Sequence, residues 1–406
     1  MNITHRNARW LLFTILTVSI IVPFGNDIFI PSFPAIIKAL NNPHVQWIMS
    51  VYLGGLAISQ IFYGPLSDRF GRKPVLVTGL LIFTLANIVI VFAHSFSALL
   101  VGRFFQAIGA CSAIVSALAI IRDSFAKEET VKIVAVLFGI IGVCPTISPI
   151  LGSYLQVHFG WRASFIFLLT LGMFYLALIT FLFHESMQEK NIDALTRKHL
   201  FGNFKMMITH RQFLGFTLTS FLSYSVLFGY IAAAPFLLMN QLKVNVITFG
   251  WLFASNAFAI IVMAFIAPKI ARKIGLAKTT LIGAITITLG ALILLIYNLH
   301  DSSIFGIIGP MTITSLGIGT IRPTASAGAM NIFPPNVAGS AAALFSFFSF
   351  LGGTIFTIIA GKFGASSLLE FATTILLLGI SAIITANYCQ TDKYNNYLPK
   401  DFPVSK

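Results

Sequence analysis

The stretch "GPLSDRFGRKP", residues 64–74, is a short polar break between two long apolar segments. It contains the acid Asp68 and the bases Arg69, Arg72 and Lys73. About 20 apolar residues are needed for a helix to cross the ~30 Å hydrocarbon core of a bilayer, and each flanking segment has that length. The stretch is therefore predicted to be a tight loop on one side of a membrane, joining two spanning helices.

The composition of the whole chain agrees with this interpretation. Its 406 residues are 57% hydrophobic and 9% charged, with a mean hydropathy of +0.90. These values exclude an ordinary soluble domain and indicate an all-α polytopic membrane protein. Twelve apolar segments are predicted to span the membrane, at about 9–37, 46–66, 74–94, 97–121, 132–156, 161–184, 212–237, 246–267, 277–298, 303–326, 335–360 and 366–388.

The formal charge of +14 raises the question of a nucleic-acid partner, which the distribution of the bases answers. If the N-terminus is cytoplasmic, nearly all Lys and Arg fall in cytoplasmic loops. The exceptions are Lys38, Arg162, Lys243, Lys362 and the intrahelical Arg103. This is the positive-inside pattern. It predicts a multi-pass protein of the bacterial inner membrane with both termini in the cytoplasm, and it requires no nucleic acid.

The chain also repeats itself. "PKIARKIG" (268–275) is a decayed copy of the loop at 64–73, displaced by half the chain length, with Gly275 matching Gly71 but Arg272 replacing Asp68. A tandem duplication is the simplest source. The predicted organisation is a six-helix bundle at 1–184, a cytoplasmic linker at 185–211, a second six-helix bundle at 212–388 and a cytoplasmic tail at 389–406.

"GPLSDRFGRKP" resembles the helix 2 to 3 loop signature of the major facilitator superfamily. The resemblance implies two six-helix bundles in a pseudo-twofold arrangement, with the substrate between them near the membrane midplane. It also implies a charge network that steadies the outward-open state, with Asp68 at a helix N-terminus. Its conformational residues here are Gly64, Asp68, Arg69, Gly71 and Arg72. Gly64 is expected to permit close helix packing. Alternatively, the bases Arg69, Arg72 and Lys73 only set topology.

Two further motifs resemble those of the same superfamily. In "LLVGRFFQAIGA" (99–110) the intramembrane Arg103 precedes Gln106, and in the family this arginine couples to the protonation site. The alternative is that its guanidinium reaches the nearer interface. "GIIGVCPTISPILGSYL" (139–155) resembles the glycine-proline motif of antiporters, although Cys144 replaces the expected glycine before Pro145. The flexible and small residues of this segment are Gly139, Gly142, Pro145 and Pro149.

Within the superfamily, the chain looks like a twelve-helix drug:proton antiporter of the bicyclomycin/chloramphenicol-resistance type. The segments that carry this likeness are "NDIFIPSFPAI", "IIRDSF", "GWRASF", "YIAAAPFLLMNQ" and "FGWLFASNA". The resemblance implies export of small, drug-like molecules in exchange for protons, by a protein expected to be a monomer without cofactor or metal. "IGTIRPTASAGAM" (318–330) departs from the pattern through Arg322, which is expected near the cytoplasmic end of its helix with a topological role.

The stretch "VPFGNDIFIPSFP" (22–34) places Asp27 deep in the first apolar segment, while the other acids map to loops or helix ends. Intramembrane carboxylates are expensive and generally functional, so Asp27 is the predicted proton carrier, on a helix bent near Pro31 and Pro34. A capping aspartate between two helical pieces is the alternative. Some relatives carry a second acid eight residues earlier, where this chain has Ser19, which argues against a preference for cations or dications.

Substrate contacts are harder to assign from the sequence. Asn26, Tyr52, Tyr230 and Asn256 lie on helices that face the cavity in the family, and a purely structural role is equally compatible with each.

Two other functions are alternatives. A transporter that exports a metabolite, or a proton symporter, would keep the fold. An intramembrane enzyme needs clustered acids, His or Cys, whereas the eight histidines all map to loops or helix ends. These are His5, His44, His94, His158, His184, His199, His210 and His300.

Overall fold

A computed structural model describes residues 5–187, 196, 204–298, 303–334, 337–363 and 368–390. Within these ranges the chain forms helices and the turns that join them. Twelve helical segments are long and apolar enough to span a membrane, which confirms the predicted number. The predicted linker and tail fall largely outside the described residues, apart from 185–187, 196, the short helix Phe204–Thr209 and the adjoining turns.

The spans are numbered α1 to α12 in chain order. They are α1 (Leu12–Leu40), α2 (Trp47–Phe70), α3 (Arg72–Val91), α4 (Phe96–Ser124), α5 (Lys132–Phe159), α6 (Arg162–Leu182), α7 (Arg211–Gln241), α8 (Val246–Ile274), α9 (Leu276–Tyr297), α10 (Ile304–Met330), α11 (Gly339–Ala360) and α12 (Leu368–Gln390).

The first span is not one continuous helix. It consists of the pieces His5–Val18, Ile21–Asp27, Ile30–Ser32 and Phe33–Leu40, and the third is a 3₁₀ turn. Pro31 lies in this 3₁₀ turn, where its missing backbone donor favours an interruption of the α-helix close to the predicted bend. The break before Ile21 was not predicted. Such breaks free backbone carbonyls inside the membrane, which other groups must then satisfy.

Each half of the chain has its own hydrophobic core. One core is built mainly from α1 to α6 and the other mainly from α7 to α12. Within the halves, α3 packs on α4 and α6, while α9 packs on α10 and α12. Between the halves, α2 packs along α11 and α5 packs along α8. This is the predicted arrangement of two six-helix bundles.

Loops that follow even-numbered spans carry most of the bases, and their side of the molecule is called here the basic side. Some contacts between the halves lie on the opposite side. There Met49 and Leu53, near the start of α2, join the core of the second half. Phe236, near the end of α7, joins the core of the first half. The two bundles therefore pack against each other on the side away from the bases.

Candidate functional site

Asp27 ends the second helical piece of α1 and is 3% exposed. It lies 15 residues after Leu12, about 22 Å into the span at the helical rise. Its Oδ1 accepts a hydrogen bond of 2.5 Å from Nδ2 of Asn26. Within the described residues, no base lies at ion-pair distance from this carboxyl. Asp27 can therefore gain or lose a proton without breaking a salt bridge.

Arg103 of α4 is fully buried beside this break in α1. Its Nη1 donates to the carbonyl of Gly25 at 2.8 Å, and its Nε donates to the carbonyl of Ile48 at 3.2 Å. Its guanidinium carbon lies 4.1 Å from the ring centroid of Tyr52 and 4.3 Å from that of Phe29. The charge is thus held by carbonyls and aromatic faces inside the bundle rather than at the interface, and it joins α4 to α1 and α2.

A chain of amides extends the Arg103 contacts to α3. Arg103 also donates to Oε1 of Gln106, whose Nε2 donates to Oδ1 of Asn87 at 2.6 Å. Asn87 in turn donates to the carbonyl of Phe83 at 2.8 Å. Sequence reasoning missed Asn87, although a lone amide in the apolar run "LIFTLANIVIV" was a usable signal. Polar side chains inside a membrane commonly bridge helices in this way.

Arg103 and Asp27 interact through space without a direct ion pair between them. The carbonyl that Arg103 binds belongs to Gly25, two residues before Asp27. Tyr52 also holds this piece, because its hydroxyl donates to the carbonyl of Val22 at 3.0 Å. The arginine therefore positions the helical piece that ends at Asp27, and its charge adds a favourable field for the carboxylate.

The stretch 64–74 forms a charge cluster at the basic side, but it is not the predicted loop, because residues 64–70 end α2, residues 72–74 begin α3 and Gly71 alone separates them. Arg72 donates from Nε to Asp123 at 2.8 Å and from Nη1 to Asp68 at 2.7 Å, and also to the hydroxyl of Ser67 at 3.0 Å. This links the stretch to the end of α4. Asp68 was expected at a helix N-terminus, but it lies in the last turn of α2 and pairs with Arg72 at the start of α3.

The N-terminus of α3 is occupied by Glu185 instead. Its carboxylate accepts hydrogen bonds from the backbone amides of Arg72 at 3.0 Å and Lys73 at 3.2 Å, which are donors that the first turn of a helix leaves free. Gly71, with a φ of +106°, makes the turn, and a Cβ there would collide with Glu185. No motif spacing points to Glu185, because it lies more than 100 residues along the chain from Gly71.

Two glycines of the predicted motifs differ from expectation. A Cβ built on Gly64 or on Gly142 would meet nothing within 4 Å among the described atoms, so the close packing expected at Gly64 is wrong for this conformation. A Cβ on Gly139 would lie 3.8 Å from the ring of Phe265, which is ordinary contact. Their part in conformational change, like that of Pro145 and Pro149, stays a prediction.

The close approach in α5 occurs at Gly152. A Cβ there would collide with the backbone carbonyl of Ile28, the residue after Asp27. Backbone cannot rotate away as a side chain can, so α5 and α1 would have to separate. Gly152 therefore sets the distance between α5 and the segment that carries the carboxyl.

We expect Gly152→Ala to destabilise the protein by ~1–3 kcal/mol, as overpacking generally does. Gly142→Ala is the matched control on the same helix, because its methyl enters open space and alanine favours helix by ~1 kcal/mol. Thermal unfolding in detergent should give a lower Tm for the first variant and an unchanged or higher Tm for the second. Equal Tm values for both would contradict the close packing of α1 on α5.

In the second half, Tyr230 and Asn256 contact each other. Nδ2 of Asn256 donates to the hydroxyl of Tyr230 at 3.0 Å, while its Oδ1 accepts from Thr312 at 3.0 Å. The ring of Tyr230 stacks on Phe253 at a centroid distance of 6.1 Å. These residues join α7, α8 and α10. The structure thus brings together two of the four predicted substrate contacts, and their role toward a substrate stays a prediction.

Arg322 does not lie at the end of its helix, as the sequence suggested. The helix continues through the small residues of "ASAGAM" to Met330, so Arg322 is eight residues inside α10. Its side chain is half-buried, and its guanidinium carbon lies 5.1 Å from the ring centroid of Tyr224. Arg322 is therefore farther from the end of its helix than the predicted span 303–326 implied, and its topological role stays a prediction.

Comparisons with known proteins place this geometry in a family. The model of the Major Facilitator Superfamily matches residues 15–357. A bicyclomycin resistance protein homolog of Haemophilus influenzae is 28% identical, over 92% of this chain and 94% of its own length. A chloramphenicol resistance protein of Pseudomonas aeruginosa is 30% identical, over 88% and 86%. The multidrug resistance protein MdtL of a Klebsiella pneumoniae strain is 31% identical, over 64% and 66%.

Solved structures agree on the fold. A bacterial homolog of the human lysosomal transporter Spinster superimposes with a TM-score of 0.74 at 15% identity, covering 95% of this chain and 97% of that one. The human organic anion transporter MFSD10 gives a TM-score of 0.71 at 14% identity, covering 93% and 99%. With its twelve spans, its two bundles and a family match over most of its length, this chain belongs to the Major Facilitator Superfamily.

Proposed function

We propose that the protein is a proton-coupled exporter that carries small, drug-like molecules out of the cytoplasm by alternating access between its two bundles. The observation that carries the proposal is Asp27, a buried carboxyl without an ion-pair partner among the described residues, at a break in the first span. The relatives named for resistance to bicyclomycin, chloramphenicol and multiple drugs support export as its direction.

The proposed topology places the basic side in the cytoplasm, with both termini there, in the inner membrane of a bacterium. The proposed units are the bundles 1–184 and 212–388, the linker 185–211 and the tail 389–406, in a monomer. Since the halves pack against each other on the side away from the bases, this conformation is proposed to be the one that loads from the cytoplasm. No catalytic step is proposed, and among the described residues no three His, Cys, Asp or Glu group as metal ligands.

The coupling is proposed to run through the broken first span. Deprotonated Asp27 favours loading of substrate from the cytoplasm, and its protonation from the periplasm favours release and return. Arg103 transmits the change, because it binds the carbonyl of Gly25 on the same helical piece and that of Ile48 on α2. The two bundles then move relative to each other as rigid bodies. This is expected because packed cores switch between discrete arrangements and do not deform continuously.

The proton gradient is large enough for this work. One proton moving inward contributes ~2.3 kcal/mol per 100 mV of membrane potential, to which the pH difference adds. Because ~1.4 kcal/mol corresponds to a tenfold concentration ratio, a single proton supports a gradient of ten- to a hundredfold for a neutral substrate.

Everted membrane vesicles test the direction of coupling. Respiration acidifies their interior, and chloramphenicol added outside meets the face that was cytoplasmic. We expect the drug to make the interior less acid, because export moves protons out of the vesicle as substrate enters. Vesicles without this chain should not respond. Deeper acidification would indicate symport, and no response to chloramphenicol or bicyclomycin would contradict drug export and favour a metabolite as substrate.

A further inference from the structure

Arg322 lies inside the membrane on the same route as Asp27. It is eight residues before the end of α10 at the basic side, about 12 Å along the helix axis, whereas Asp27 is 15 residues after Leu12, the first residue of α1 at that side. A molecule entering between the bundles from the basic side would thus reach the guanidinium before the carboxyl. An ionisable side chain at this depth is functional by default.

The side chain is held at the meeting of the two halves. Tyr224, whose ring lies under the guanidinium, packs edge-on against Phe350 at a centroid distance of 5.7 Å. Phe350 of α11 in turn packs against the cores of both bundles. Arg322 is therefore a wall residue of the space between the bundles rather than a lipid-facing residue.

Its hydrogen-bonding groups are available. The cation–π contact uses the flat face of the guanidinium and leaves its N–H edge, with five donors in a fixed fork. Within the described parts of the chain, no hydrogen bond or ion pair occupies that edge, and the side chain is half-buried rather than sealed. Such an edge is suited to nitro, carbonyl and carboxylate oxygens.

The charges around this space favour the same ligands. Arg322, in the second half, is close enough to Asp27, in the first half, for the two charges to interact, and Arg103 adds a second positive charge beside the helical piece that ends at Asp27. The position eight residues before Asp27 is Ser19, so no second carboxylate offsets the arginines there. A permanent cation would meet a net positive wall, and this repulsion persists in low-dielectric surroundings where water does not screen it.

We propose that Arg322 selects the substrate class: it binds uncharged or anionic compounds that are rich in oxygen acceptors, and it excludes permanent organic cations. The inference rests on the proposed function only in taking the space between the bundles as the substrate site. It assigns to α10 a recognition group that complements the proton carrier on α1.

Equilibrium binding to the full-length protein in detergent tests the role of Arg322 in substrate selection. The measurement needs no proton gradient, so the dissociation constants can be compared even if the protein does not export drugs. The probes are chloramphenicol, which is neutral and carries nitro and amide oxygens, and tetraphenylphosphonium, a permanent cation. We expect wild type to bind chloramphenicol at least ~10-fold more tightly than the cation. Arg322→Gln should reduce this ratio by ~10-fold or more, through weaker chloramphenicol binding and stronger cation binding, and Arg322→Lys should keep the cation excluded.

Arg211→Gln is the matched control. Arg211 also stacks on a tyrosine, with its guanidinium carbon 4.7 Å from the ring centroid of Tyr388, but it is exposed at the start of α7. This variant should bind both probes as wild type does. The proposal is overturned if wild type binds chloramphenicol no more tightly than the cation, or if Arg322→Gln, with an unchanged Tm, discriminates as wild type does.

Discussion

Replacing Asp27 by Asn is expected to abolish uphill export while leaving the protein folded. In everted vesicles, drug accumulation driven by the proton gradient should fall by at least ~10²-fold, the scale of losing an essential proton-transfer group. The amide of Asn cannot bind and release a proton during the cycle. Proton movement is therefore no longer coupled to transport of the substrate. Initial rates with chloramphenicol provide the measurement.

The folded state should tolerate this change. Asn has the shape of Asp, its amide oxygen can accept from Asn26 as Asp27 does, and no ion pair with a described base is lost. Removing a buried charge also removes its desolvation cost. The Tm of the variant should equal or exceed that of wild type, and Glu129→Gln, at an exposed acid near the start of α5, should leave export unchanged. Normal uphill export by Asp27→Asn would refute the assignment of the proton carrier.

Arg103→Ala is expected to cost both stability and transport. Two hydrogen bonds from a charged donor to carbonyls contribute ~1.5–3 kcal/mol each, and each cation–π contact adds ~0.5–2 kcal/mol. Burial of the guanidinium opposes these gains, since its Nη2 has no partner among the described groups. The alanine variant, however, leaves a large cavity and removes the donor that the Gly25 and Ile48 carbonyls share, and the Gly25 carbonyl lies at the break in α1. We expect a net loss of ~3–5 kcal/mol, measured by thermal or denaturant unfolding.

Arg162→Ala is a matched comparison for Arg103. Arg162 likewise donates to two carbonyls, those of Val91 and Ala93, and stacks on Trp161, but it lies half-buried at the opposite side of the membrane. Water can hydrogen-bond to these two carbonyls when Arg162 is absent, so Arg162→Ala should lower the free energy of unfolding by ~1 kcal/mol. Arg103→Lys keeps the charge without the planar fork, and it should fold yet export slowly. If Arg103→Ala were no less stable than Arg162→Ala, the positioning role would be wrong.

The number and order of the helices could be predicted from the sequence because the bilayer constrains both. A span needs a long apolar run with internally bonded backbone, and loops need charge, so hydropathy and the distribution of Lys and Arg indicate twelve helices and their order. An interruption of the first helix near Pro31 was expected from proline chemistry. The position of Asp27 stood out because an acid inside an apolar run is costly and generally functional.

Contacts between residues that are far apart in the chain could not be predicted from hydropathy and charge. Glu185 caps α3 from a distant part of the chain, and Asn87 receives the Gln106 amide across two helices. The depth of Arg322 depended on where α10 ends, and small residues such as Ala and Gly give a weak signal for that boundary. Gly152 and Gly142 look alike in sequence, yet only the packing of α1 on α5 distinguishes them.

In the proposed cycle, Asp27 carries the proton that is exchanged for substrate. This exchange can be measured in proteoliposomes that contain the purified protein, in weakly buffered medium with a pH indicator, when chloramphenicol is added. We predict that wild type releases protons in response to the drug and that Asp27→Asn releases none while still binding it. Proton release by Asp27→Asn at the wild-type rate would contradict the account.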